Sequence, residues 1–314
     1  MRRTATLAMA AALLAGAAGC ALVGIGPTAR FDVSPVVLYS GELLVFDGGS
    51  SLSLSSIVSF DWSYGDGETG VGQRTEHRYE LPGLYEVSLR VVDANGNEDR
   101  ATRTLSVYAR SGTELLREDF DGGPSTLDGW ALDASWASER DGAVEFIGGE
   151  HAYALRIRSD EDRWHRRWRS VELPPLRIGQ RFAFECDVMT AQTKYDAGFF
   201  IFPLRASLDT VEGSLPYVEY SSETEGVATV AVSPFGTLMR QPTTFSPGIY
   251  RWHRYRLEIA PGRYELFIDG TLRASGEQGI PAQLAGPWLT VLGDESHELR
   301  CDAFFDNISL TVVE

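Results

Sequence analysis

Residues 77–99 read HRYELPGLYEVSLRVVDANGNED, and this stretch decides the fold class. Tyr85, Val87, Leu89 and Val91 fall on one side of an extended chain, with Glu86, Ser88 and Arg90 on the other. That is the pattern of a half-buried antiparallel strand. Pro82 and Gly83 turn the chain into it, and DANGN has the composition of a turn out of it. Its alternating oxygens at Asp93, Asn95, Asn97 and Asp99 would also suit calcium. Just upstream, SFDWSYGDGETG at 59–70 sets Phe60, Trp62 and Tyr64 on one strand face before Gly65-Asp66-Gly67 permits a tight turn.

The same features recur outward along the chain. Gly and Pro are frequent, short alternating apolar runs repeat, and no long stretch has a helical period, so the chain reads as all-β with two domains. WSYGDG, then His77 and Tyr79, then PGLYEVSLRVVD resembles the PKD domain, which implies a small immunoglobulin-like β-sandwich over 28–108 that serves as a spacer or contact module without catalytic residues. Asp66 is then a turn residue. ARSGT at 109–113 reads as a linker.

From 114 to 314, strand-like runs continue through AYALRIRS, WHRRWRSVEL, RFAFECDVM, AGFFIFPL and PWLTVLG. The segment IYRWHRYRLEIAPGRYELFIDGTLRASG at 249–276 is strand, Pro-Gly hairpin, strand, Asp-Gly turn, strand. With FDNI at 305–308 it resembles the concanavalin A-like jelly roll of laminin G-like modules, lectins and several glycosidases. The resemblance implies a large β-sandwich and a glycan ligand or a second surface protein as partner.

Laminarinase-like members of that superfamily carry E-x-D-x-E, or one residue more, on a single strand. In FAFECDVM at 182–189, Glu185 and Asp187 match the first two acids, while Met189 and Thr190 occupy the two third positions. Neither can protonate a leaving group, and retaining hydrolysis needs that second carboxyl. Read as a strand, Phe182, Phe184, Cys186 and Val188 form the apolar face and Glu185 and Asp187 an exposed polar one. The reading is a non-catalytic binding domain; the rivals are a glycan hydrolase or lyase using other acids, and a purely structural envelope protein.

Candidate ligand contacts follow from residue type. Flat aromatics beside Arg suit sugar rings, which singles out Trp164, Arg166 and Trp168 on one strand, with Tyr195, Tyr217 and Tyr220 in longer connecting stretches. The alternative for the tryptophans is a place in the core. Asp119, Asp121 and Asp306 lie near the two ends of the domain and could meet around a structural calcium. No cofactor is required.

The first residues, MRRTATLAMAAALLAGAAGCALVG, place two arginines before an apolar stretch too short to span a bilayer and small residues before Cys20. Residues 1–19 read as a secretory signal, and AAGC resembles a bacterial lipobox, which implies lipidation of Cys20, a tether over 20–27 and extracytoplasmic domains on the cell envelope. Removing 1–19 takes away Arg2 and Arg3 and no acid, so the net charge of −16 becomes −18. Nucleic acid and anionic lipid are poor partners for such a chain. Export permits Cys186 and Cys301 to pair; equally, both suit buried apolar positions.

Overall fold

The computed structural model describes residues 26–123, 129–132, 142–158, 165–177, 179–191, 197–205, 217–221, 229–233, 241–278, 288–296 and 302–313. Throughout these the regular structure is β, and no helix is long and apolar enough to cross a membrane. Cys20 and Cys301 lie outside them.

The first domain contains β1 (Asp32–Ser34), β2 (Leu38–Tyr39), β3 (Leu43–Asp47), β4 (Ile57–Ser63), β5 (Thr69–Val71), β6 (Arg74–Arg78), β7 (Gly83–Asp93) and β8 (Glu98–Tyr108). They form a three-stranded sheet, β1-β3-β6, and a five-stranded sheet, β2-β8-β7-β4-β5. Val87, Leu89 and Val91 of β7 are fully buried beside Trp62, Phe46 and Leu44, as the alternation of 77–99 requires. The glycine turn after β4 is pinned by its own side chains. Asp66 accepts from the Glu68 amide at 3.0 Å and lies 2.6 Å from Nε2 of the buried His77, whose ring stacks on Tyr64 at 4.0 Å. The Tyr79 hydroxyl closes the group by donating to the Tyr64 carbonyl at 2.8 Å. Asp66 is thus a turn residue with a second task, fixing the one histidine of this core. In DANGN, Asp93 accepts from the Asn95 and Asn97 amides and from the Asn97 side chain, and Asp99 accepts from the Ala29 amide. These bonds shape the hairpin.

The second domain contains β9 (Glu114–Glu118), β10 (Trp130–Leu132), β11 (Gly142–Phe146), β12 (Tyr153–Arg158), β13 (His165–Leu173), β14 (Phe182–Thr190), β15 (Ala197–Arg205), β16 (Tyr217–Ser221), β17 (Thr229–Ser233), β18 (Gln241–Pro242), β19 (Trp252–Ala260), β20 (Gly262–Ile268), β21 (Thr271–Gln278), β22 (Trp288–Ser296) and β23 (Asp302–Val312). One sheet runs β10-β13-β22-β15-β16-β17-β18; the other runs β11-β12-β23-β14-β19-β20-β21, with β9 also paired to β23. Phe199 of the first sheet meets Tyr255 and Phe305 of the second edge to face, at 5.5 and 6.2 Å, so the sheets share one core and form a β-sandwich. The turn between β20 and β21 has positive φ at Asp269 and Gly270, as a two-residue hairpin matched to strand twist demands.

One sequence expectation changes. The outward face of β14 is not an exposed polar face: Ala183, Asp187 and Met189 are buried and only Glu185 is half-buried, because β14 lies between β23 and β19 and further side chains cover it. Cys186 is a free, fully buried thiol facing the core, and burial pushes it well above its ordinary pKa.

The turn after β4 gives a direct test. Gly65 has φ 86°, and a Cβ there would lie 2.7 Å from the Glu86 carbonyl oxygen, whereas Gly67 at φ 95° has nothing within 4 Å. Gly65→Ala is expected to cost more than ~2 kcal/mol in urea unfolding, and Gly67→Ala about 1 kcal/mol. Equal costs would contradict this packing.

Candidate functional site

The polar residues of the second domain converge on the outward face of the β11–β21 sheet. Antiparallel register sets Glu185 of β14 opposite Arg256 of β19 and Asp187 opposite Arg254. Side chains at opposed positions stand about 5 Å apart, so acids two apart on one strand meet arginines two apart on the next. Arg254 Nε donates to Asp187 Oδ1 at 2.9 Å, and Arg256 donates to Glu185 and, at 2.8 Å, to Glu258. Burial alone would raise the Glu258 carboxyl, but Arg181 and Arg256 together hold it below the usual carboxylate range.

On the other flank of β14, the register with β23 shifts between Glu185, opposite Ser309, and Asp187, opposite Asp306. Asn307 and Ile308 thus face the single residue Cys186: a β-bulge. Asn307 takes φ 49°, a left-handed conformation that asparagine tolerates better than most residues. Its amide side chain donates to Asp187 Oδ2 at 2.8 Å, and its backbone N–H donates to Asp306 Oδ1 at 2.8 Å. Asp306 is buried, and its Oδ2 lies 2.7 Å from His151 Nδ1, whose ring stacks on Trp252 at 4.0 Å. Burial pushes the Asp306 carboxyl above its ordinary range, while His151 and the Asn307 amide pull it back and the charge on Asp187 pushes it further up.

Beside this network is a pocket of 250 Å³ whose lining includes Glu185, Arg254, Arg256, Glu258 and Phe267. Phe267 is half-buried and stands opposite Arg256 on β20, so its ring lies among guanidinium and carboxylate groups already oriented by one another. Such a site can present an aromatic surface and fixed hydrogen-bonding groups to a polar ring. Of its described carboxylates, Glu185 and Glu258 both accept from Arg256.

The residues singled out from sequence are distributed differently. Asp306 joins Asp187 and His151; Asp119 and Asp121 are exposed after β9, and among the described residues no group of three or more His, Cys, Asp or Glu side chains could hold a metal. Trp164 and Tyr195 lie outside the described residues. Arg166 and Trp168 are on β13, opposite Glu295 and Gly293 of β22, while Tyr217 and Tyr220 are on β16 of the same sheet. Sequence reasoning missed His151, Trp252, Arg254, Arg256 and Phe267. The signal for the arginines was present: R-Y-R beside E-C-D has the spacing of two cross-strand ion pairs.

A scan against protein-family models matches residues 26–108 to the PKD domain. Residues 26–108 are a PKD domain. Over 80 residues the chain is 36% identical to a microbial collagenase of Vibrio alginolyticus, covering 25% of this chain and 10% of that protein. It is 39% identical over 116 residues to collagenase ColQ1 of Bacillus cereus (strain Q1), covering 36% and 11%. The chain thus spans about a tenth of the length of these curated relatives. Among solved structures, the PKD1 domain of the Vibrio cholerae metalloprotease PrtV is 32% identical, covers 26% of this chain and 98% of its own, and gives a TM-score of 0.24. A structure described as a carbohydrate-binding module of the β-sandwich superfamily is 17% identical over 91% of this chain and 98% of its own, with a TM-score of 0.34.

The Asp306 network predicts a pH dependence. A carboxyl raised in the folded state keeps its proton at pH values where the unfolded chain has released it, so stability falls as pH rises from the ordinary carboxylate range through the raised value. Asp306→Asn is expected to flatten that fall in a series of urea titrations across the weakly acidic range, whatever its effect on absolute stability. An unchanged slope would show that Asp306 is not the group responsible.

Proposed function

We propose that the chain is a non-catalytic, glycan-binding protein of the cell envelope, in which the PKD domain spaces a concanavalin A-like sandwich away from a lipidated Cys20. The observation that carries the reading is the state of the two acids on β14. Asp187 is tied to Arg254 and Asn307, Glu185 to Arg256, and the following outward position is the buried Met189. Both carboxylates are engaged by arginine and the third position carries no acid, so the strand lacks the second carboxyl that retaining hydrolysis needs, which supports binding over glycosidic cleavage. Phe267 with the oriented rim of the 250 Å³ pocket supplies the aromatic face and planar donors that sugar rings favour. A second candidate surface, proposed from residue type, is β13 through Arg166 and Trp168. A surface-protein partner in place of a glycan is the competing reading.

The test is a glycan array with residues 26–314, followed by calorimetry and product analysis on whatever binds. A bound glycan that is released unchanged, with no reducing ends from laminarin, is expected. Phe267→Ala or Trp168→Ala should weaken binding at least ~10-fold, identifying the surface used. Reducing ends that vanish in Glu185→Gln would overturn the non-catalytic reading, and an array with no binder would overturn the glycan. For the anchor, labelled fatty acid should enter the full-length protein in a bacterial host and be lost in Cys20→Ser; membrane association that persists in that variant would contradict it.

A further inference from the structure

We infer that the junction between the PKD domain and the sandwich is a separate binding site, for a sugar bearing a single carboxylate. The connection at 109–113, which by sequence has no apolar face, is fastened along its length. Ala109 is buried in the sandwich core, and its carbonyl accepts from the buried Gln180 side chain at 2.8 Å. The Gly112 amide donates to the Val312 carbonyl at 2.6 Å, and the Val312 amide to Thr113 at 2.9 Å. A wall built this way is preorganised, which lowers the ordering cost of binding.

Across this wall the PKD domain contributes Tyr39 and Glu42, and the two sides enclose a cleft of 580 Å³, within the range of small-ligand sites. Arg110 reaches Glu42 at 3.1 Å, while Arg177 donates to the Tyr39 hydroxyl and lies 5.8 Å from that ring's centroid. Among the described residues, the cleft lining carries two guanidiniums and one carboxylate. A surplus positive charge in a chain of net charge −16 marks a local site for an anion, while the surrounding negative field disfavours a polyanion.

The geometry of a guanidinium matches a carboxylate through two parallel hydrogen bonds. The rest of the lining selects the body that carries it. Tyr39 offers a ring face, and Ser111, Gln180 and Glu42 offer partners for hydroxyls; among the described residues of the lining no side chain is aliphatic. A uronic acid at the end of a glycan has this combination of one carboxylate, several hydroxyls and a flat pyranose face. The site is distinct from the Phe267 pocket and stands or falls separately from it.

The experiment is an NMR titration of residues 26–314 with methyl β-D-glucuronide and its isostere methyl β-D-glucoside, which differ in the carboxylate alone. The glucuronide should bind at least ~10-fold more tightly, and more weakly as salt is added. Arg177→Gln and, from the other domain, Tyr39→Ala should each weaken it at least ~10-fold. Equal affinity for the two glycosides, or indifference to both junction variants, would overturn the site. Triglycine bound as tightly as the glucuronide would overturn the sugar and leave a bare carboxylate receptor.

Discussion

Two acids on β14 face two arginines on β19, and the outward half of the second domain is organised around that pairing. A central strand with neighbours on both sides has no free edge, so what its polar side chains meet is decided by the facing strands. Here the facing strand offers guanidinium at both positions. Asp187 can be buried because its oxygens are bonded by Arg254 and Asn307; without them, an ionised carboxylate at that depth would cost several kcal/mol. Glu185, closer to solvent, shares Arg256 with Glu258, a pairing ordinarily worth less than ~1 kcal/mol. The register and the burial of the face are therefore one fact seen two ways.

The bulge on β23 supplies the other half of the arrangement. Ala303 and Phe305 point into the core, and so do Ile308, Leu310 and Val312. Odd positions inward followed by even positions inward requires one extra residue between them. Asn307 takes it up with its left-handed backbone, and the shift brings Asp306 opposite Asp187 with His151 beyond it. FDNI is in this sense a packing device that also builds a polar network.

The PKD domain was legible because its information is local. Alternation along β7, the glycine turn after β4 and the aromatic run Phe60, Trp62, Tyr64 each specify their surroundings within a few residues, and the family match over 26–108 agrees. The second domain was legible as strands and turns but not as a site. Reading FAFECDVM alone made its polar side look exposed, since a single strand cannot report the covering residues contributed by β23 and the turn before β12. Asp306 was grouped with Asp119 and Asp121 by sequence position, while its true neighbours, Asp187 and His151, are more than a hundred residues away. The connection at 109–113 looked like a spacer because its fastening depends on backbone amides and on Gln180, which leave no hydrophobic pattern.

The central claim, that the β14 acids are held in place by the arginines of β19, is tested most directly by a double-mutant cycle between Asp187 and Arg254. Unfolding free energies of Asp187→Asn, Arg254→Gln and the double variant are measured at neutral pH. The account predicts a favourable coupling above ~0.5 kcal/mol, each single change being more costly while its partner's charge remains. Additive effects, with no coupling beyond error, would show that the carboxylate is not held by the arginine and would contradict it.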